Sequence, residues 1–246
     1  MTTPAESVPL TSPRPPQRRR HGALLFLRDV VVIVLVAVLV SSLVKTFLVR
    51  SFYIPSSSMN NTLVQDDRII VNELVPDVVP LSRGDVIVFK DPGGWLQPVP
   101  QAEDTSIAWL FENTLQAVGL APEETNDHLI KRLIGLPGDH VVCCTPLGQM
   151  TVNGQPLDEA SYIKDGENAP AASSIPFDVT VPADGLWVMG DNRENSADSR
   201  LQQGTPSKGF VPIDNVTGRA VAITWPIDRW RWLDNFPNTF QGLDPR

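Results

Sequence analysis

The chain has 246 residues and a mass of 27.0 kDa, 42% of it hydrophobic and 20% charged, with 23 prolines and 16 glycines. That suits one sizeable core, or one domain with an appendage, and excludes wholesale disorder and a multidomain assembly. The net charge of −8 conceals a basic first fifty residues and a strongly acidic remainder, which excludes nucleic acid as a partner, because phosphate neutralisation needs clustered Lys and Arg.

Met1 to Gln17 is rich in Pro, Ser and Thr and lacks periodicity, the composition of a disordered tail. Arg18, Arg19, Arg20 and His21 complete a basic segment over residues 1–22. Residues 23–49 read as a single transmembrane anchor. Val30 to Val44 carries no charge, but at ~1.5 Å per residue it spans only ~22 Å of a ~30 Å hydrocarbon core. Ala23–Leu27 and Thr46–Val49 supply the missing length, leaving Arg28, Asp29 and Lys45 near the boundaries, where long side chains snorkel. The arginine cluster places the N-terminus in the cytoplasm and everything from Arg50 outside. A cleaved secretory signal ending near Val40-Ser41-Ser42 is the alternative. It is disfavoured because apolar character resumes at Phe47, Leu48 and Val49.

Residues 50–246 read as mainly β. Strand-like runs start at Arg68, Asp85, His140, Met150, Gly185 and Arg219, each bounded by Gly, Pro, Asp or Asn. Asn153-Gly154 predicts a two-residue hairpin between Thr151-Val152 and Gln155-Pro156-Leu157. The expected architecture is an antiparallel sheet or partial barrel. One helix is expected over Ser106–Leu120, where Ile107, Leu110, Phe111, Leu115 and Val118 recur at helical spacing, inside an insertion spanning about 91–127. Cys143 and Cys144 are adjacent; they read either as a vicinal disulfide or as small buried residues of a strand. No CxxC spacing suggests zinc.

Of the three histidines, His21 falls on the cytoplasmic side, and neither His128 nor His140 sits in a nucleophile elbow or an HExxH pattern. The more unusual feature is Ser51-Phe-Tyr-Ile-Pro-Ser-Ser-Ser-Met-Asn-Asn-Thr-Leu63, with three hydroxyls in a row after a stiffening proline. A serine nucleophile needs a base, and lysine serves when burial lowers its pKa. Lys131 is the candidate, on the apolar strand Leu129-Ile-Lys-Arg-Leu-Ile134, with Arg132 on the opposite face. On composition alone a strand lysine is ordinarily solvated, and a serine beside proline is ordinarily a turn.

Four segments in order resemble the boxes of bacterial type I signal peptidases (leader peptidases). They are Ser51–Met59 with Thr62-Leu63, Arg83-Gly-Asp-Val-Ile-Val-Phe89, Ile130-Lys-Arg-Leu-Ile-Gly-Leu-Pro-Gly-Asp139, and Gly190-Asp-Asn-Arg-Glu-Asn-Ser-Ala-Asp-Ser-Arg200. Val211–Ala222 resembles the strand that follows them. The resemblance implies a membrane-anchored serine endopeptidase that removes signal peptides from exported preproteins after small residues, of Ala-x-Ala type. It implies Ser58 as nucleophile, Lys131 as general base, Ser56 with the Ser58 N–H as oxyanion hole, and Ser196 as the group that orients the lysine. It further implies Asp198 and Arg200 as a structural ion pair, Asp191 and Asn192 as loop supports, and Phe52, Ile54, Leu63 and Ile130 as the shallow pockets for small side chains. The implied partners are secretory preproteins, the lipid bilayer and a protein translocase, at the bacterial plasma membrane, with no metal or organic cofactor. A specialised or non-catalytic relative serving one pilus or conjugation substrate is the alternative. The chain departs from the family pattern at Asn61, where proline is common, at Leu129, where tyrosine is common, and in the length of the 91–127 stretch.

Overall fold

The computed structural model describes residues 20–47, 49–96, 127–168 and 171–243. Of the tail expected over residues 1–22, residues 1–19 lie outside the described residues and 20–22 belong to a helix; the helix expected over Ser106–Leu120 also lies outside the described residues. By compactness the chain divides into two units at Ser41/Ser42.

Helix α1 runs from Arg20 to Phe47. Its described side chains from Leu25 to Val38 are all exposed, and most are Val, Leu, Ile or Phe. Among the described residues no helix is long and apolar enough to cross a membrane, so they do not by themselves establish the anchor expected over residues 23–49.

The second unit is built of antiparallel strands. β1 (Val49–Tyr53), β2 (Arg68–Asn72), β3 (Val86–Lys90), β4 (His128–Gly135), β5 (His140–Cys143), β6 (Met150–Val152), β7 (Gln155–Pro156), β8 (Phe177–Thr180), β9 (Gly185–Met189), β10 (Val211–Pro212), β11 (Val216–Trp225) and β12 (Arg231–Trp232) follow in chain order. One open sheet runs β1-β2-β11-β3-β4-β9-β10, with β12 also paired to β11; a second runs β7-β6-β5-β8. The strand-like runs of the sequence become β2, β3, β5, β6, β9 and β11, within a residue or two at their ends except that β11 begins three residues early.

Two local features set the sheet's shape. β11 is the longest strand and serves β2, β3 and β12, which it manages through register shifts at Val216/Gly218, Ala220/Ala222 and Ile223/Trp225 that add bend and twist. Asn153 and Gly154 both take positive φ, at 54° and 80°, between the paired Val152 and Gln155, the tight turn expected of that dipeptide. Cys143 and Cys144, at the end of β5, are joined as a disulfide.

Three apolar clusters form the core. Phe52, Ile54, Met59, Leu63, Ile69, Val71, Val86, Val88 and Ile130 pack with Ala220 and Ile223 from β11. Ile87, Phe89, Trp95, Leu133, Leu186, Val188 and Val211 fill another face of the same sheet. Ile134, Trp187 and Met189 reach across to the second sheet's Val141, Met150, Val152 and Phe177. Where the insertion leaves β3, the Asp91 carboxylate accepts from the Gly93, Trp95 and Leu96 amides, and Trp95 meets Phe89 edge-on at 5.7 Å.

Gly84 ties the start of β3 to the centre of the sheet: its N–H donates to Leu133 O at 2.7 Å and its carbonyl accepts from Arg132 Nη1 at 2.6 Å. It has φ +87°, and a Cβ there would overlap the Asn235 carbonyl. Gly84→Ala is therefore expected to lower stability by about 3 kcal/mol, combining left-handed strain with a backbone clash, a Tm loss on the order of 10 °C. An unchanged Tm in a thermal melt would contradict that assignment.

Candidate active site

The nucleophile candidate sits in a turn that the apolar cluster pins from both ends. Ile54 exchanges backbone hydrogen bonds with Asp67 and Asp66, and Met59 and Leu63 are fully buried. Between them the chain turns tightly, with Asn60 N donating to Ser57 O and Leu63 N to Met59 O. Apolar residues on both sides thus hold a polar loop at the core's edge, and Ser58 is 7% exposed.

Across from it stands β4. Residues 128–132 pair with β3, and the ladder with β9 begins only at Arg132. Lys131 is 4% exposed. Its Nζ donates to Ser58 Oγ at 2.8 Å and to Ile130 O at 2.9 Å. Burial lowers its pKa from 10.5 to about 8; Asp198 and Asp191 pull it partly back up, and Arg200 opposes them. Ser56 Oγ lies 3.2 Å from Ser58 Oγ.

The 190–200 loop seats the Ser58 backbone. Asn192 N donates to Ser58 O at 3.0 Å, Asn192 Nδ2 to Ser57 O at 3.0 Å and Asn195 Nδ2 to Ser57 Oγ at 2.9 Å. Gly190 passes so close that a Cβ would lie 2.5 Å from Ser58 O and would overlap Ser196; only glycine fits there. Arg200 grips Asp198 through Nε and Nη2, both at 2.8 Å, while Gly190 N donates to Asp198 Oδ2 at 2.9 Å. Burial pushes the Asp198 carboxyl up, but these contacts outweigh it and hold the group below its ordinary value.

The sequence-derived residues therefore converge, with one difference. Ser58, Lys131 and Ser56 meet directly, and Asp198 pairs with Arg200. Phe52, Ile54, Leu63 and Ile130 share one apolar cluster. Ser196, expected to orient the lysine, makes no hydrogen bond to it. Its hydroxyl is buried and close enough to Asp198 to help hold that carboxyl low, but it is aligned with no hydrogen-bond partner among the described residues.

Sequence reasoning missed three things. Arg132 does point to the face opposite Lys131, but that face is closed. Its guanidinium is fully buried, binds Asp191 through Nε at 2.8 Å and Nη2 at 2.7 Å, and lies 4.4 Å over the Tyr162 ring. Thr62 Oγ1 also donates to Asp191, so Asp191 is a counter-ion as much as a loop support. Asn195 was not singled out, although its clamp on Ser57 had a signal in the loop's amides. Glu159 and Tyr162 were passed over entirely. Among the described residues no group of three or more His, Cys, Asp or Glu is placed to hold a metal. A cavity of about 570 Å³ bounded by Asp85, Arg219, Trp232 and Asp234 includes neither Ser58 nor Lys131 in its wall.

Residues 27–225 match the family model for signal peptidase, peptidase S26. The signal peptidase I of Mycobacterium tuberculosis is 37% identical over 89% of this chain and 77% of its own length. A probable signal peptidase I of Mycobacterium leprae is 38% identical over 80% of this chain and 75% of its own. A crystal structure of a signal peptidase I from Enterococcus faecalis V583 is 25% identical, covering 56% of this chain and 95% of that one at a TM-score of 0.35, too loose an overlay to carry an argument.

The buried ammonium has a measurable consequence for stability. In the unfolded chain Lys131 keeps its proton up to about 10.5, in the folded chain only up to about 8. Between those values the unfolded state binds more protons, so stability rises with pH across that window; below it both states are protonated and the burial cost is paid in full. Lys131→Met, which fills the site without a charge, is expected to be more stable than the parent by about 1–3 kcal/mol at pH 6–7. The gain should shrink as pH climbs past 8, and denaturant titrations showing no gain, or one independent of pH, would contradict the assignment.

Proposed function

The chain belongs to the signal peptidase family, peptidase S26, and we propose that it removes signal peptides from exported preproteins after small residues, with Ser58 as nucleophile and Lys131 as general base. The observation that carries this reading is the 2.8 Å hydrogen bond between a buried lysine and a buried serine, with no carboxylate among the described residues in direct contact with the lysine to hold its proton.

In the proposed cycle, neutral Lys131 takes the Ser58 proton as Oγ attacks the scissile carbonyl carbon. The oxyanion is held by the Ser58 N–H and the Ser56 hydroxyl, one such donor being worth about 2.7–4 kcal/mol. On collapse the C–N bond breaks, Lys131 gives its proton to the leaving amine, and an ester on Ser58 remains. Water, deprotonated by Lys131, then attacks that ester; the acyl C–Oγ bond breaks, Lys131 returns the proton to Ser58 Oγ, and the signal peptide leaves with a new carboxylate.

Substrate binding follows from two strand edges. Residues 128–131 of β4 pair on one side only, and β1 ends the sheet. An extended peptide adds to these edges by main-chain hydrogen bonds, with alternate side chains turned toward Phe52, Ile54, Leu63 and Ile130. Those residues are already packed, at 8% exposure or less, so the recesses are shallow and admit only small side chains.

The membrane-bound part of the reading rests on α1, whose 28 residues span about 42 Å at a helical rise, and on the uncharged run Val30–Val44 within it. Trp225, Trp230 and Trp232 are all half or more exposed, with Trp230 and Trp232 edge-on at 5.7 Å, which favours an interfacial belt at headgroup level over packing of the C-terminal strand.

Incubating the detergent-solubilised protein with a preprotein whose signal ends in Ala-x-Ala, and sequencing the product's new N-terminus, tests this. Cleavage after the second alanine is expected. It should fall about a thousandfold or more in Ser58→Ala and Lys131→Ala, and equally in Lys131→Arg because guanidinium stays protonated. Substantial turnover by Lys131→Ala would refute the base. The value of kcat/KM should rise with pH through about 8 as Lys131 loses its proton; a rate flat from pH 6 to 10 would also count against it.

A further inference from the structure

The turn that follows β7 makes three separate connections to the loop that seats Ser58. Glu159 accepts from Arg193 Nη2 at 2.6 Å and Nη1 at 3.2 Å. Lys164 N donates to Asp191 O at 2.9 Å. Tyr162 lies beneath the Arg132 guanidinium at 4.4 Å, the same guanidinium that binds the Asp191 carboxylate. Arg193 passes the contact on: its Nε donates to Gly190 O at 3.0 Å and its Nη1 to Ala172 O at 2.6 Å. Its own carbonyl accepts from Arg200 Nη2 at 2.9 Å.

From these contacts we infer that Glu159 is a positioning residue for the reaction, holding Arg193 so that the Gly190–Asn192 backbone presents the Asn192 N–H to the Ser58 carbonyl. The inference rests on the Ser58/Lys131 reading of the site. Gly190 is held on both sides, by Arg193 at its carbonyl and by Asp198 at its amide, and it passes so close to Ser58 that a Cβ would lie 2.5 Å from Ser58 O. A slack carbonyl would let that peptide rotate, and the Asn192 N–H one turn onward would leave Ser58 O. An error of an ångström in the seat of a nucleophile is enough to slow attack heavily.

The Glu159 carboxylate does this from complete burial. Both it and Arg193 are 5% exposed or less at their side chains, so the pair is rigid as well as neutral overall. Tyr162 Oη donates to Glu159 Oε1 at 2.5 Å. Burial and the neighbouring carboxylate hold the phenol well above its ordinary pKa, so it stays a donor across the working range. Arg193, despite burial, is pushed above its ordinary value by Glu159. No proton is exchanged within the brace; it supplies fixed geometry.

The test is a double-mutant cycle on kcat, with KM, far-UV circular dichroism and thermal melts recorded for every variant and Ser58→Ala and Lys131→Ala as references. Glu159→Gln keeps the shape and removes the charge. It is expected to lose tenfold or more in kcat with KM within twofold of the parent. Combined with Arg193→Gln it should lose no more than the worse single variant, because Glu159 reaches Gly190 through Arg193. Losses that multiply, or an unchanged kcat, would overturn the inference. Should Glu159→Gln fail to fold, Tyr162→Phe decides: it leaves the ring under Arg132 and removes only the donor to Glu159. A loss of about threefold in kcat, again not compounding with Arg193→Gln, is expected, and no loss overturns the proposal. Retained turnover in Ser58→Ala or Lys131→Ala would instead sink the Ser/Lys reading, whatever the cycle gives.

Discussion

Two cations follow one another on β4, both are buried, and only one of them is given a carboxylate. The period of two along a strand sends Lys131 and Arg132 to opposite faces. Arg132 meets Asp191 at two points and stacks on Tyr162; Lys131 meets a hydroxyl and a peptide carbonyl. A guanidinium cannot shed its proton, so burying it demands a counter-ion. An ammonium can, so burying it without one lowers its pKa instead. Equal depth on neighbouring residues thus yields a structural cation on one face and a candidate base on the other.

The surrounding acids are arranged to keep that difference. Asp191 is matched to Arg132, Asp198 to Arg200, Glu159 to Arg193 and Asp139 to Arg83, each by a nearly or wholly buried contact of 2.6–2.8 Å. A carboxylate whose field is largely cancelled by its own arginine has little left for a third group. Asp198 and Asp191 still raise Lys131 somewhat, but burial outweighs them. Replacing Arg132 or Arg200 by a neutral residue would free Asp191 or Asp198, the two carboxylates that act on Lys131, in a low-dielectric region, where it would hold the lysine's proton more firmly. These two arginines therefore do two things at once: they anchor the 190–200 loop, and they offset negative charge near the Lys131 ammonium.

The strands were legible because their signals are local. Gly, Pro and Asx residues bracket β2, β3, β5, β6 and β9, and Asn153-Gly154 specifies its turn without help from the rest of the chain. The depth of β4 was not legible, because Lys131-Arg132 in the middle of an apolar run looks the same whether its partners are water or residues 191 and 58. The resemblance to the signal peptidase boxes singled out Ser58 and Lys131, which spacing alone left among ordinary turn and surface residues. Glu159 and Tyr162 were invisible for a different reason. They belong to a turn with no periodicity and no motif, and their partners, Arg193 and Arg132, lie about thirty residues away in the sequence. Ser196 shows the converse limit: the resemblance identified it, but the direction of its hydroxyl, aligned with no partner among the described residues, is set by the folded packing and leaves no mark in the sequence.

A site of this kind does not need a cavity. Ser58 and Lys131 are already dry before anything binds, at 7% and 4% exposure, so the substrate need not expel water to lower the lysine's pKa; the fold has already done so, at a cost in stability below pH 8. What the proposed reading still asks of a peptide is a strand. β9 joins β4 at Arg132, which among the described residues leaves 128–131 of that edge unpaired, room for a few residues of added chain. Such a short edge is a weak template for unwanted pairing, and under the proposed strand addition the same geometry limits how many positions of a substrate are read. On that reading discrimination rests on the one or two side chains that face inward from the short strand. Since Phe52, Ile54, Leu63 and Ile130 are packed nearly to completion, what such positions would impose is a limit on size.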